Sequence, residues 1–297
     1  MKVRILGAAA GGGSPQWNCN CTVCREVRTG NGDGVARTQS SIAVRGENGP
    51  WLLVNASPDL RQQLQRFPID FGNELRRTPF AGVLLTDAEI DHTAGLLLMR
   101  ESDVPLQIYS TEPVREALTS YYPVLRMLER YCGLRWNRIE PGKPLAVGGT
   151  LTVEAFPTGG DPPLYVGDGV PDLQSVGLTF TDGDTGGVLT YAPALEGLRE
   201  DIASRLASSE CVLVDGTFWE RDELVALGLA TRDALAMGHM PLSGPGGSLD
   251  RFRRLPGRVV LVHVNNTNPI LLEHSPERAA VAMSGVEVGV DGMEVLL

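Results

Sequence analysis

Apolar positions along this chain fall into short continuous runs. They occur at 3–8, 41–44, 51–55, 82–86, 106–109, 151–156, 175–181, 187–191, 211–215, 259–264, 286–290 and 292–296. Many are unbroken Val, Leu and Ile, the pattern of strands covered on both faces. Helical spacing lies between them at 57–67, 93–101, 112–127, 195–208, 221–227 and 248–252. In the first of these, Ser57 offers an N-cap and Pro58 the first helical position, and Leu60, Leu64 and Phe67 share a face. Strands and helices interleave, so the expected class is mixed α/β. No internal repeat or low-complexity linker divides the chain, and residues 1–297 are expected to form a single domain. Segments 142–149 and 157–171 are loop-rich, and the second is long enough to be functional.

Composition narrows the function classes. The chain has 297 residues, of which 42% are hydrophobic and 21% charged, which excludes a disordered tail. Net charge is −10 with no basic block, so no nucleic-acid partner is expected. A metal ion would still let an acidic protein act on a small anion, by reversing the local field. No run approaches the roughly 18 apolar residues of a membrane-spanning helix. The N-terminal apolar stretch is broken by Gly11-Gly12-Gly13 and carries charge, so it reads as a strand rather than a signal peptide. Five Cys, three of them within six residues, do not make a secreted disulfide framework. The expected compartment is the cytoplasm.

Two clusters carry candidate chemistry. Cys19, Cys21 and Cys24 form a C-x-C-x-x-C triplet in a loop at about 17–26. Such spacing lets three thiolates converge on zinc, which takes four ligands in a structural site. The fourth must come from Cys132, Cys211 or a His; three packed free thiols are the alternative. No helix clearly starts at the motif, which disfavours a redox pair. The second cluster follows the apolar run at 82–86: Asp87, Glu89, Asp91 and His92, then Thr93-Ala94-Gly95-Leu96. Packed acids behind a buried strand are costly without a cation among them. A helix start decorated with acids fits the same residues.

The strand, the four-residue ligand loop and the Thr-Ala-Gly-Leu helix start resemble the second motif of the metallo-β-lactamase fold, usually H-x-H-x-D-H and here D-x-E-x-D-H. Val54-Asn55-Ala56-Ser57 resembles that family's early turn, and the runs ending in Asp215 and His263 resemble its later metal-binding strands. The resemblance implies an αββα sandwich with two mixed central sheets flanked by helices. It also marks a loss, because three of the family's five usual His ligands are absent, including the one expected near Phe156-Pro157-Thr158-Gly159. Asp91, His92, Asp215 and His263 remain as the implied active-site ligands, with Asp87 and Glu89 as further candidates. Two His with carboxylate and open positions suit non-haem iron. The same set can hold zinc with a water, or stand empty as a binding site. Phosphodiesterase members of the fold complete a like cysteine triplet with a His, which implies His239, in Gly238-His239-Met240-Pro241, as the fourth zinc ligand. In tRNA-processing members a segment in this location supplies a catalytic His instead. His274 carries no partner signal.

The segments 11–19, 86–93, 238–241 and 263–271 together resemble the pyrroloquinoline quinone biosynthesis protein B family, across nearly the whole chain. That resemblance implies a role in making a redox cofactor from a ribosomal peptide whose Glu and Tyr are cross-linked. With the altered ligand set, it implies Fe(II)- and dioxygen-dependent hydroxylation of the Tyr ring of that intermediate, beside a structural zinc. Two alternatives stay open: a metal-dependent hydrolase of the usual fold type, and a carrier of the quinone or its precursor for export. The implied partners are the small Glu–Tyr derived substrate and dioxygen, with no nucleic acid, no membrane span and room for a homodimer. Asn265, Asn266, Thr267 and Asn268 follow the His263 strand and are expected to line the pocket. Arg37 and Arg100 are the cations considered for an acidic substrate.

Overall fold

The computed structural model describes residues 1–30, 33–167 and 175–297. Of the expected functional loop at 157–171, positions 168–171 lie outside the described residues. The first half of the chain supplies β1 (Lys2–Gly7), β2 (Ser41–Arg45), β3 (Trp51–Val54), β4 (Phe80–Leu84), β5 (Leu106–Ser110) and β6 (Leu134–Arg138). The second supplies β7 (Leu145–Gly148), β8 (Leu151–Pro157), β9 (Val176–Asp182), β10 (Val188–Ala192), β11 (Cys211–Asp215), β12 (Arg258–Val262), β13 (Glu287–Val288) and β14 (Glu294–Leu296). Among the described residues these strands form two sheets, ordered β14-β1-β2-β3-β4-β5-β6 and β13-β12-β11-β10-β9-β8-β7. Both are mixed. β3 to β6 run parallel in one, and β10 to β13 in the other.

The apolar runs explain the layering. Ile5, Ile42 and Leu52 of one sheet meet Leu178, Phe180 and Leu213 of the other in a shared inner layer. The opposite faces are buried too: Leu53, Val83 and Ile108 pack with Leu60, Leu118 and Leu125, and Val212, Val214 and Leu261 with Ile202, Leu206 and Phe252. Each fully buried Val or Leu contributes about 1.5–3 kcal/mol. Two mixed sheets flanked by helices make the αββα sandwich that the resemblance implies. No helix among the described residues is long and apolar enough to cross a membrane.

Several expectations change. The helical stretch at 112–127 is not continuous: an α-helix at Glu112–Glu116 passes into a π-turn at Ala117–Tyr121, and a new helix starts at Val124–Tyr131. Pro123 causes the break, because the residue before a proline is driven out of the helical region; Tyr122 has φ −122° and ψ 86°. The helix expected at 57–67 spans only Leu60–Gln65, and the buried Ser57 hydroxyl caps nothing. Segment 142–149, expected as loop, contains β7, an edge strand paired with β8. Two helices were not anticipated. Pro276–Met283 has Ser275 as N-cap, with Pro at the first turn. Thr22–Thr29 starts at the cysteine motif itself, and the Cys24 N–H donates to Cys21 Sγ at its cap.

Candidate metal centre

The candidate ligands sit where parallel strands end. Asp87, Glu89, Asp91 and His92 follow β4, with His92 in a short helix at Ile90–Thr93. Asp215 is the last residue of β11, and His263 comes immediately after β12. Ligand sites outside the carboxyl ends of strands are the general rule for such sheets. The ligand loop is pinned to the turn after β3: Ala56 N–H donates to His92 O (2.7 Å) and Gly95 N–H to Ala56 O (2.8 Å). A Cβ at Gly95 would lie 2.1 Å from Ser57 O, so no larger residue keeps this contact. His263 holds φ 56°, a left-handed conformation that costs a branched-free residue such as His about 1–3 kcal/mol and clusters at functional sites.

Two groups of donor atoms converge, Asp91–His92–His263 and Asp215–His239–His263, with ligand-type atoms within 4.8 Å of one another in each. His239 therefore belongs to this centre. This corrects its assignment to the cysteine site: its Nδ1 bonds Asp215 Oδ2 (2.9 Å) and Thr217 Oγ1 (3.1 Å), and its ring stacks on His263 with centroids 5.2 Å apart. The centre thus gathers three imidazoles rather than two. The useful signal was the tRNA-processing resemblance at the same segment.

Each ring is oriented through Nδ1. Asp87 engages His92 Nδ1 with both oxygens, at 2.8 and 2.7 Å. Asp87 is itself held by the Thr86 hydroxyl (2.7 Å) and the Glu89 N–H (2.9 Å). Both of its oxygens are engaged in these bonds, which position His92. Glu89 belongs to neither converging group. Thr217, which the sequence reading missed, is a hub. Its hydroxyl lies 2.9 Å from His263 Nδ1 and 2.7 Å from Asp215 Oδ1. Asp215 also accepts the N–H groups of Leu195 and Thr217, both at 2.9 Å.

The residues fit a metal. His92 Nε2 is buried with no hydrogen-bond partner, and an orphaned imidazole nitrogen beside carboxylates is a ligand in waiting. Asp91 Oδ2 is 3.3 Å from His263 Nε2 and 3.7 Å from His92 Nε2. Burial alone would push Asp91 up, yet His92 and His263 hold it well below the usual carboxylate range. Burial pulls His92 down, and Asp87 and Asp91 reverse that, to about 9. Glu89 rises to about 7 through burial, Asp87 and Asp91. A bound cation would reverse the rises of His92 and Glu89 and hold Asp91 lower still. These groups open onto a cleft of about 540 Å³, lined by Asp87, Glu89, Asp91, His92, His239, His263 and Asn265.

The expected pocket residues mostly lie elsewhere. Asn265 lines the cleft. Asn266 faces the cysteines, Thr267 donates to Glu223, and Asn268 caps the 3-10 turn at Pro269–Leu271 while donating to Gly216 O and Thr217 O. Arg37 is corrected as well. It is buried, with Nε on Gly289 O and Nη1 on Val35 O, and it ties the N-terminal turn to the end of the chain. Arg100 is half exposed beside Glu101 and does not line the cleft.

The thiols of Cys19, Cys21 and Cys24 form a third converging group. Cys21 N–H points at Cys19 Sγ (3.5 Å) and Cys24 N–H at Cys21 Sγ (3.4 Å). Burial raises the Cys19 pKa, but the N–H of Cys21 and neighbouring side chains outweigh it and lower the value. Burial pushes Cys21 up to about 12. Neither Cys132 nor Cys211 joins them; Cys132 bonds carbonyls near Met99 and Leu128, and Cys211 is buried in β11. The neighbour that does face the thiols is Asn266, whose carbonyl lies 3.5 Å from Cys21 Sγ and whose Nδ2 lies 3.3 Å from Cys24 Sγ.

Comparison with known proteins identifies the family and the fold. Residues 50–264 match the Beta-lactamase superfamily domain. Coenzyme PQQ synthesis protein B of Azoarcus sp. is 46% identical over 304 residues, covering all of both chains. That of Nitrosococcus oceani is 42% identical over 315 residues, again with full coverage. The crystal structure of Zn(2+)-bound PqqB from Methylobacterium extorquens superposes with TM-score 0.91 at 37% identity and full coverage of both chains. A diphosphatase of the PhnP family, 14% identical with TM-score 0.69 over 99% of this chain and 96% of its own, shares the fold. This chain belongs to the coenzyme PQQ synthesis protein B family, within the metallo-β-lactamase fold.

Proposed function

We propose that this protein acts in pyrroloquinoline quinone synthesis by hydroxylating the Tyr ring of the cross-linked Glu–Tyr intermediate, with Fe(II) and dioxygen. The observation that carries this reading is the convergence of Asp91, His92 and His263 at the cleft, one carboxylate and two imidazoles. Such a set with open positions is the usual holder of non-haem Fe(II), which when bound supplies the reduction of dioxygen. Each ring C–H that becomes C–OH consumes one dioxygen and two reducing equivalents, and the second oxygen leaves as water. An external reductant must supply those equivalents.

The chain's own groups do the rest. Asp87 fixes the His92 tautomer with Nε2 toward the cleft, and Thr217 does the same for His263. Asp215 occupies His239 Nδ1, which leaves His239 Nε2 to exchange a proton with the ring. Zinc, apart from this chemistry, would take the three thiols with the Asn266 carbonyl as the neighbouring fourth donor, in place of the expected Cys or His.

The test is anaerobic loading with Fe(II), then reductant, dioxygen and the cross-linked dipeptide, with product read by mass spectrometry. A mass gain of oxygen on the ring is expected. Iron-loaded protein that yields no hydroxylated product sinks the proposal. Turnover without dioxygen would point to the hydrolase, and undiminished ligand binding by a catalytically silent His263→Ala variant to the carrier.

A further inference from the structure

The cleft is strongly acidic. Asp87, Glu89, Asp91 and Asp161 all line it, and a substrate built from Glu and Tyr brings carboxylates of its own. Of the described residues that line it, one carries a Lys or Arg charge, Arg232. Its Nη2 is bonded to Asp161 Oδ2 (2.5 Å) and to Ala236 O, and among the described residues its guanidinium makes no other bond. Asp161 sits on the opposite wall, just after Gly159 and Gly160, and both glycines have positive φ. The two walls touch there: a Cβ at Gly238 would lie 3.2 Å from Gly160 Cα. His239 follows directly. The Asp161–Arg232 pair therefore spans the cleft beside the imidazole cluster.

From this we infer that Arg232 is the anchor for a substrate carboxylate, and that Asp161 holds its place until substrate exchanges for it. The inference rests on the reading of the cleft as the site of a Glu–Tyr derived acid. Both partners are well exposed, with side-chain exposures of 43% for Arg232 and 71% for Asp161. An ion pair of that kind is weak and easily exchanged. A guanidinium presents a planar fork that takes a carboxylate by two parallel bonds, and no described residue bonds its Nε or Nη1, which leaves it that capacity. Ala236 O keeps the arginine in place through the exchange. Asp161 thus competes with substrate, and removing it should strengthen binding. A merely structural salt bridge predicts the opposite.

Calorimetry on zinc-loaded protein, without dioxygen, separates this inference from the hydroxylation itself. The probes are the cross-linked Glu–Tyr dipeptide and the same compound with its carboxylates converted to primary amides. Wild type should bind the acid about tenfold tighter than the amide, as a charge-assisted pair allows. Arg232→Ala should lose that tenfold on the acid and leave the amide unchanged. Arg232→Lys keeps part of the preference, since an ammonium retains the charge without the fork. Asp161→Asn should tighten the acid by roughly two- to fivefold. Arg100→Ala, remote from the cleft, should change neither. Wild type that binds both probes alike, or neither, overturns the inference, as does weaker acid binding by Asp161→Asn. If the preference holds but no hydroxylated product forms, the anchor stands and the proposed reaction falls.

Discussion

The imidazole centre and the thiol cluster are both sets of converging metal donors, but they are built by opposite means. At the centre, Asp87 after β4 and the pair Asp215 and Thr217 at the end of β11 orient rings through Nδ1. At the cluster, three thiols lie within six residues, and main-chain N–H groups at the start of the helix Thr22–Thr29 arrange them. One segment serves both. His263 turns into the centre, Asn266 faces the thiols, and Asn265 between them lines the cleft. Nitrogen and oxygen donors on a cleft suit reaction; thiols at a chain turn suit holding in place the segment that carries His263.

That division predicts an asymmetry. Asp91→Ala should abolish hydroxylation and iron retention, while zinc stays at one equivalent and thermal unfolding barely moves, as read by metal analysis beside calorimetry. The reverse variant reaches further. Cys24→Ser should cost zinc, and with it stability on the order of 3 kcal/mol, because a structural zinc site contributes folding energy outright. It should also weaken iron retention, since Asn266 loses its anchor three residues beyond His263. Zinc loss that leaves iron affinity and stability untouched would show the two regions to be independent. A smaller effect isolates orientation from ligation. Asp87→Asn should keep iron bound yet weaken its affinity by about ten- to a hundredfold, the usual cost of removing the partner behind a ligating His. Chelator competition measures it.

The same contrast explains what was legible in the sequence. The runs that became β4, β11 and β12 are unbroken apolar stretches, so the family resemblance could be laid on their ends, at Asp87 to His92, Asp215 and His263. Partners brought from afar were not. His239 and Asp215 are 24 residues apart, and only the folded path decides between Asp215 and the thiols. Thr217 has no motif; a threonine two residues past a strand looks like any turn residue. Arg37 was chosen for its charge, but Gly289, 252 residues on, takes its guanidinium. The helix at Thr22–Thr29 hid because its cap is a cysteine, not the Ser, Thr, Asp or Asn that usually marks a start. Its β-branched Thr22 and Val23 gave no apolar period either.

The subtlest consequence of gathering acids at the centre, where the thiol cluster gathers none, is a pH dependence carried by a raised carboxyl group. In metal-free protein, burial, Asp87 and Asp91 raise Glu89 from 4.5 to about 7. Between those values the folded chain holds a proton that the unfolded chain has released. Stability from this group is therefore greatest at low pH and falls as pH rises through about 7. Two neighbours pull in different directions over the same range. His92 is raised and loses stability toward high pH, whereas His263 is lowered and gains it. Glu89→Gln removes the first contribution together with the share of the His92 rise that Glu89 supplies, so the difference between wild type and variant reports the two together. That difference should change by roughly 1–2 kcal/mol between about pH 5.5 and 7.5, with wild type losing ground as pH rises. Urea unfolding of the metal-free proteins measures it. Adding metal should flatten the curve, because a cation beside Asp91 removes the reason for Glu89 to keep its proton. A difference that stays flat without metal would mean that Glu89 is ionised there, and that its charge is balanced by His92 alone.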